Sequence, residues 1–91
     1  MAEKEKHINL LLRRIPNSPG VYQYLNKEGQ IIYVGKAKNL YRRVNSYFSK
    51  AHTNAKTRQL VSHIADIRYV VVDNEQDAFL LENNLIKEHQ P

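Results

Sequence analysis

A chain of 91 residues is the size of one domain, near the small end of what folds on packing alone. It has no cysteine, which excludes a disulfide framework and a thiolate metal site. The net charge of +5 favours a polyanionic partner.

That charge is unevenly placed. Lys36, Lys38, Arg42, Arg43, Lys50, Lys56 and Arg58 fall in a stretch ending at Ala65 that contains no Asp or Glu, so the remainder of the chain is net acidic. Such a segment suits a phosphate backbone, and it equally suits a solvated helical face. Residues 1–15 alternate acids and lysines before their apolar positions. They offer neither a secretory signal nor a run long enough to span a membrane, so the expectation is a soluble intracellular domain.

In chain order, residues 4–14 predict an amphipathic helix with Ile8, Leu11, Leu12 and Ile15 on one side. Pro16, Pro19 and Gly20 end it in a turn. Val21–Leu25 reads as a strand and residues 26–29 as a hairpin turn in which Gly29 takes positive φ. Ile31–Gly35 is the returning strand. Asn39 is a plausible N-cap for a helix over about 40–48, with Leu40, Val44 and Tyr47 on one face. A loop through His52 and Thr53 leads to a helix over about 55–65, whose buried stripe would be Thr57, Leu60, Val61 and Ile64. Ile67–Val72 is β-branched and aromatic, a third strand. Asp73 or Asn74 caps a last helix to about His89, with Glu75 and Asp77 in its first turn and Pro91 as a stop. The order α-β-β-α-α-β-α predicts a small α/β sandwich with a three-stranded, mostly antiparallel sheet flanked by helices.

Three places carry chemistry. On the last helix, Ala78, Phe79, Leu81, Leu85 and Ile86 span an apolar arc, and Glu82 falls inside it. A carboxylate there needs a basic partner, an exposed edge or a bound cation. With a metal it would be a hard oxygen ligand for Mg²⁺ or Mn²⁺. In the hairpin, pairing around the turn sets Tyr22 opposite or nearly opposite Tyr33 on one sheet face. Such a pair is also an ordinary cross-strand contact. Gly35 then permits close approach of a ligand, a cofactor or another backbone, and Lys36 would project a cation beside the two phenols. On the next helix, Arg43 and Tyr47 are one turn apart and reach the same partner. Arg43 suits a planar clamp on phosphate oxygens, whereas Arg42 reads as an ordinary exposed arginine. The four histidines show no metal-ligand spacing.

Taken together, these pieces resemble the GIY-YIG nuclease family, and within it the UvrC-type domains. Gly20-Val21-Tyr22 resembles the first name element and Tyr33-Val34-Gly35 the second. Ser18–Tyr22, Ile31–Phe48 and Ala78–Pro91 resemble the UvrC version in particular, in correct order over roughly residues 15–91. The resemblance implies Glu82 as the metal-binding carboxylate, Tyr22 and Tyr33 as the motif tyrosines, and Gly35 and Lys36 as the motif glycine and the lysine after it. Arg43 and Tyr47 would be the arginine and helix tyrosine lining the site. It implies incision of DNA on the 3′ side of a lesion with a single divalent ion, in the bacterial cytoplasm, with UvrB as the partner that loads the enzyme. Lys38, Arg42, Lys50, Lys56 and Arg58 would hold the duplex backbone. UvrC-type domains continue to an asparagine shortly beyond Pro91, which implies a piece of a longer protein.

Two further readings remain at this stage: a stand-alone GIY-YIG nuclease acting on branched DNA, and a non-catalytic module whose tyrosines stack on bases. The nuclease reading expects Glu82, Lys36, Arg43 and the two phenols to converge on one pocket, with Glu82 on the same side of the sheet as the phenols.

Overall fold

A computed structural model describes residues 2–49 and 54–90; Lys50, His52, Thr53 and Pro91 lie outside the described residues. The elements are α1 (Ala2–Arg14), β1 (Gly20–Leu25), β2 (Ile31–Ala37), α2 (Leu40–Ser49), α3 (Ala55–His63), β3 (Asp66–Val71) and α4 (Glu75–His89). Their order and kinds are those the sequence predicts. The sheet runs β2-β1-β3, antiparallel throughout, so β1 is central and β2 is an edge strand.

Local chemistry sets these boundaries. Gly29 has φ +82 in the hairpin turn, where a residue with a Cβ is strained. The Asn26 side chain accepts from the backbone N–H of Glu28 and of Gln30, which closes the turn. Asn39 caps α2 by accepting from Arg42 N at 3.0 Å. Of the two candidates for α4, it is Asn74 that caps, accepting from Asp77 N at 2.9 Å. α3 is shorter than the sequence predicts: Ile64 already has an extended ψ of 117 and forms the C-cap. Thr57, Leu60 and Val61 are only partly buried, so α3 lies at the margin of the core.

Strand alternation divides the core in two. Tyr22 and Tyr24 of β1 face a cluster that includes Ile8, Leu12, Ile15, Leu40, Val44, Tyr47, Ile64 and Ile67, so α1, α2 and α3 cover this side. Val21 and Val34 face the other way and pack with Ala78, Leu81 and Leu85 of α4. Gly20 allows the tight entry to β1. A Cβ there would overlap the carbonyl oxygen of Val70 and the Leu40 side chain. Among the described residues, no helix is long and apolar enough to cross a membrane.

Candidate active site

Tyr22 and Tyr33 share a sheet face, as the alternation predicts, but they are diagonal neighbours rather than direct partners. Tyr22 pairs with Gly35 and Tyr24 with Tyr33, and the register slips by one residue between Tyr24 and Leu25, at Ile32. The Tyr22 and Tyr33 ring centroids are 6.1 Å apart.

The site begins at Gly35. A Cβ on Gly35 would overlap Cζ and the hydroxyl oxygen of Tyr22, so the head of that phenol lies against the bare backbone of the edge strand. The room that the glycine leaves is thus taken by a side chain. The Tyr22 hydroxyl is 3.2 Å from the Tyr47 hydroxyl and accepts from Arg43 Nε at 3.3 Å. Arg43 Nη2 donates to the Tyr47 hydroxyl at 3.4 Å, and the guanidinium carbon lies 5.2 Å from the Tyr47 ring centre. The turn of helix between Arg43 and Tyr47 therefore brings both to Tyr22. Among the described residues Arg43 has no carboxylate partner. An exposed guanidinium held by two phenols keeps its charge available to an anion.

Burial separates the phenols. Tyr22 is 1% and Tyr47 8% exposed, whereas Tyr33 is half-buried. Loss of water is the largest influence on each and holds all three above the ordinary tyrosine value of 10.0, with Arg43 acting in the opposite sense. The Tyr22 hydrogen bond in turn raises the Arg43 guanidinium.

Two expectations are corrected. β2 extends to Ala37, past the predicted end at Gly35, so alternation turns Lys36 to the face opposite Tyr33. Its Nζ lies 5.5 Å from the centre of the Phe79 ring on α4, not beside the phenols. Arg43 supplies the positive charge there. The second correction concerns Glu82. Its helix packs on the Val21 and Val34 side of the sheet, away from the tyrosines, so the two groups do not share one face. Nor does Glu82 face the core. Phe79 and Ile86 are 49% and 40% exposed, so the covered arc is only Ala78, Leu81 and Leu85. Glu82 stands roughly 40° beyond Ala78 on the helix, toward the Phe79 and Glu75 flank.

That flank follows the edge strand. Phe79 lies under Lys36, and Glu75 pairs with Lys38 at 3.5 Å. A hollow of about 170 Å³ between β2 and α4 is lined by Lys36, Ala37, Lys38, Glu75 and Ala78. The phenols and Arg43 thus approach β2 from one side, with Tyr22 over Gly35, while Glu82 and Lys36 belong to the other. Glu82 is half-buried and, among the described residues, makes no hydrogen bond or ion pair. Among the described residues no salt bridge accounts for it, which leaves the exposed edge or a bound cation.

The basic segment does not gather at this point. Lys38 is engaged by Glu75; Arg42, Lys56 and Arg58 are exposed on α2 and α3; Lys50 lies outside the described residues. Lys56 lines a hollow of about 540 Å³ with Asn26, Lys27 and Gln59, apart from the phenols. The sequence reading also passed over Tyr24, fully buried among the site tyrosines, although its spacing from Tyr22 places it on the same face.

The model of the UvrC-like GIY-YIG domain family matches residues 18–91. UvrABC system protein C of Bacteroides thetaiotaomicron is 62% identical over 90 residues, covering 99% of this chain and 15% of its own length. The Porphyromonas gingivalis protein of the same name is 60% identical over 84 residues, covering 92% of this chain and 14% of its own length. The chain therefore spans about 15% of the length of such relatives. The magnesium-bound GIY-YIG N-terminal endonuclease domain of UvrC from Thermotoga maritima superposes with a TM-score of 0.81 at 39% identity, covering 92% of this chain and 91% of that one. Point mutants of the same domain, bound to its catalytic divalent cation, match equally well.

Two outcomes are expected. Gly35→Ala drives the Tyr22 ring off Arg43 and Tyr47 and destabilises the fold by about 1–3 kcal/mol, measured as a shift of the urea midpoint. An unchanged midpoint would mean that the ring is not seated on the backbone. Folding also favours the neutral form of each buried phenol. Their contribution is therefore complete below the ordinary value of 10.0 and is lost as pH climbs above it. Melting temperature followed into strong alkali should fall over that range; a flat curve would show that the phenols titrate as if exposed.

Proposed function

The chain belongs to the UvrC-like GIY-YIG domain family, and on that premise we propose that it is a DNA endonuclease domain of nucleotide excision repair. It hydrolyses one phosphodiester on the 3′ side of a lesion, in the bacterial cytoplasm. Its substrate is damaged duplex DNA, and UvrB is the partner that presents it. The observation that carries this reading is the Arg43 guanidinium, held by Tyr22 and Tyr47 with no carboxylate on it among the described residues. An arginine so fixed is preorganised for the phosphoryl group on which negative charge develops.

The residues suit a divalent ion bound through one carboxylate. Glu82 is a hard oxygen donor without a protein partner, and no group of three His, Cys, Asp or Glu gathers anywhere among the described residues. That donor set fits Mg²⁺ or Mn²⁺, which keep most of their water, and not a thiolate or histidine metal. Held by Glu82, the ion would supply Lewis acidity toward the phosphate and the departing 3′ oxygen.

The chain's own groups do the rest. A water oxygen bonds to phosphorus, the bond to the 3′ oxygen breaks, and a 3′ hydroxyl and a 5′ phosphate result. Tyr33 is the better placed base, because it is the half-buried phenol among Tyr22, Tyr33 and Tyr47 and so the one open to an attacking water. Tyr22, tied to Arg43 and Tyr47, fixes the clamp and orients that water. Burial opposes formation of the Tyr33 phenolate, so the reaction depends on positive charge nearby, from Arg43 and from the ion. Lys36, on the Glu82 side of β2, meets the backbone rather than the base. Lys38, Arg42, Lys50, Lys56 and Arg58 add contacts without sequence information, in keeping with an enzyme directed by its partner.

The base-stacking alternative fits poorly. Tyr22 is 1% exposed and is packed edge-on to Tyr47 at 6.0 Å, so no nucleobase can reach its face.

A plasmid-nicking assay on damaged DNA with the partner present tests the assignment. Glu82→Ala should abolish metal-dependent nicking, and Arg43→Ala should lower kcat by about 10²–10³-fold with DNA affinity less affected. Retained nicking in the Glu82 variant would remove the single-ion proposal. Tyr33→Phe and Tyr22→Phe separate the two phenols. Loss of the alkaline rise in rate is expected only for Tyr33→Phe; its loss in Tyr22→Phe alone would reverse the roles.

A further inference from the structure

One titratable group at the heart of the tyrosine cluster has no part in the mechanism above. Tyr24 is 0% exposed, and its hydroxyl is buried with no hydrogen-bond partner. Buried hydroxyls are rarely left unpaired, and such a group calls for an explanation. Its ring supplies one. It stacks on Tyr33 at 5.8 Å with planes 24° apart. It meets Tyr47 edge-on at 5.2 Å and 79°, and it lies 5.3 Å from Tyr22. Phe48 closes the outer side at 6.1 Å. Of the aromatic rings, Tyr24 alone touches all three site phenols while its own hydroxyl takes no part in their bonding among the described residues.

We propose that Tyr24 is a positioning residue for the reacting phenols, and that its ring rather than its hydroxyl does this. The ring fixes the distances among Tyr22, Tyr33 and Tyr47 and keeps water from reaching them through the core. Aromatic pairs favour offset and edge-on arrangements, so one ring in the centre dictates the orientation of its neighbours. The inference rests on the nuclease reading only for its consequence in rate; the packing claim stands apart from it.

The test uses two variants of this chain. Tyr24→Phe keeps the ring and removes the unpartnered hydroxyl. It should melt no lower than the parent and nick damaged plasmid at the parent rate. Tyr24→Met keeps comparable apolar bulk without the ring plane. It should bind DNA like the parent but lose kcat on the order of 10–100-fold, the scale expected when reacting groups are misplaced. Its alkaline rate limb should also move to lower pH, because water now reaches Tyr33. Ring-carbon NMR titration of the tyrosines, without DNA, should show the same: Tyr33 and Tyr47 ionise at lower pH in Tyr24→Met and unchanged in Tyr24→Phe. If Tyr24→Phe loses as much rate as Tyr24→Met, the hydroxyl does the work and the proposal is wrong. Parent-like titration and rate in Tyr24→Met would also overturn it. If the parent itself fails to nick, the nuclease reading fails, and the NMR titration decides the packing claim alone. Should Tyr24→Met fail to fold, Tyr24→Leu replaces it with the same readouts.

Discussion

The missing side chain at Gly35 governs the rest of the site. β2 is an edge strand, and opposite Gly35 on the central strand stands Tyr22. With no Cβ in the way, the phenol head lies against the β2 backbone, where Arg43 and Tyr47 can both bond its hydroxyl. Any larger residue would lift the ring and separate the three groups. The motif glycine and the motif tyrosine are therefore one device: the first creates the space that the second fills. Arg43 acquires its orientation from phenols instead of from a carboxylate, which leaves its charge unspent.

This arrangement sets two demands against each other. Packing the phenols tightly removes water, and loss of water makes a phenolate harder to form. A phenol base in such a setting requires compensating positive charge, and within the cluster only Arg43 provides it. Lys36 is turned away by the strand's alternation, onto Phe79. It makes physical sense that the structurally similar endonuclease domains carry a divalent ion.

The site also differs in shape from a pocket on one face. Helices α1, α2 and α3 cover the tyrosine side of the sheet, and α4 covers the other. The edge strand β2 lies between the phenols and Glu82, with Tyr22 over Gly35 on one side and the Glu75 and Phe79 flank of α4 on the other. An edge strand has no further neighbour to block a long polyanion, which suits a DNA backbone better than an enclosed cavity would. The exposed positions Phe79 and Ile86 flank Glu82 on this side.

Much of this was written locally. Element order, the positive φ at Gly29, the Asn39 cap and the shared face of Tyr22 and Tyr33 follow from nearest-neighbour chemistry and a period of two, which need no knowledge of the whole. The motif residues and their spacing carried the family. Three things were beyond sequence reasoning. The length of β2 past Gly35 turned Lys36 away, because a residue inside the strand is held to its alternation and takes the face opposite Tyr33 and Gly35. Closure of the loop at Leu25 and Ile31 and the bulge at Ile32 each shifted the register by one residue and together moved Tyr33 from Tyr22 to Tyr24, since register depends on how turn and strand share their hydrogen bonds. The face chosen by α4 placed Glu82 across the sheet from the phenols, because helix periodicity states which residues are apolar but not which layer they cover. Side-chain identity and local propensity are properties of the chain; the meeting of groups distant in sequence is a property of packing, and only packing could decide it.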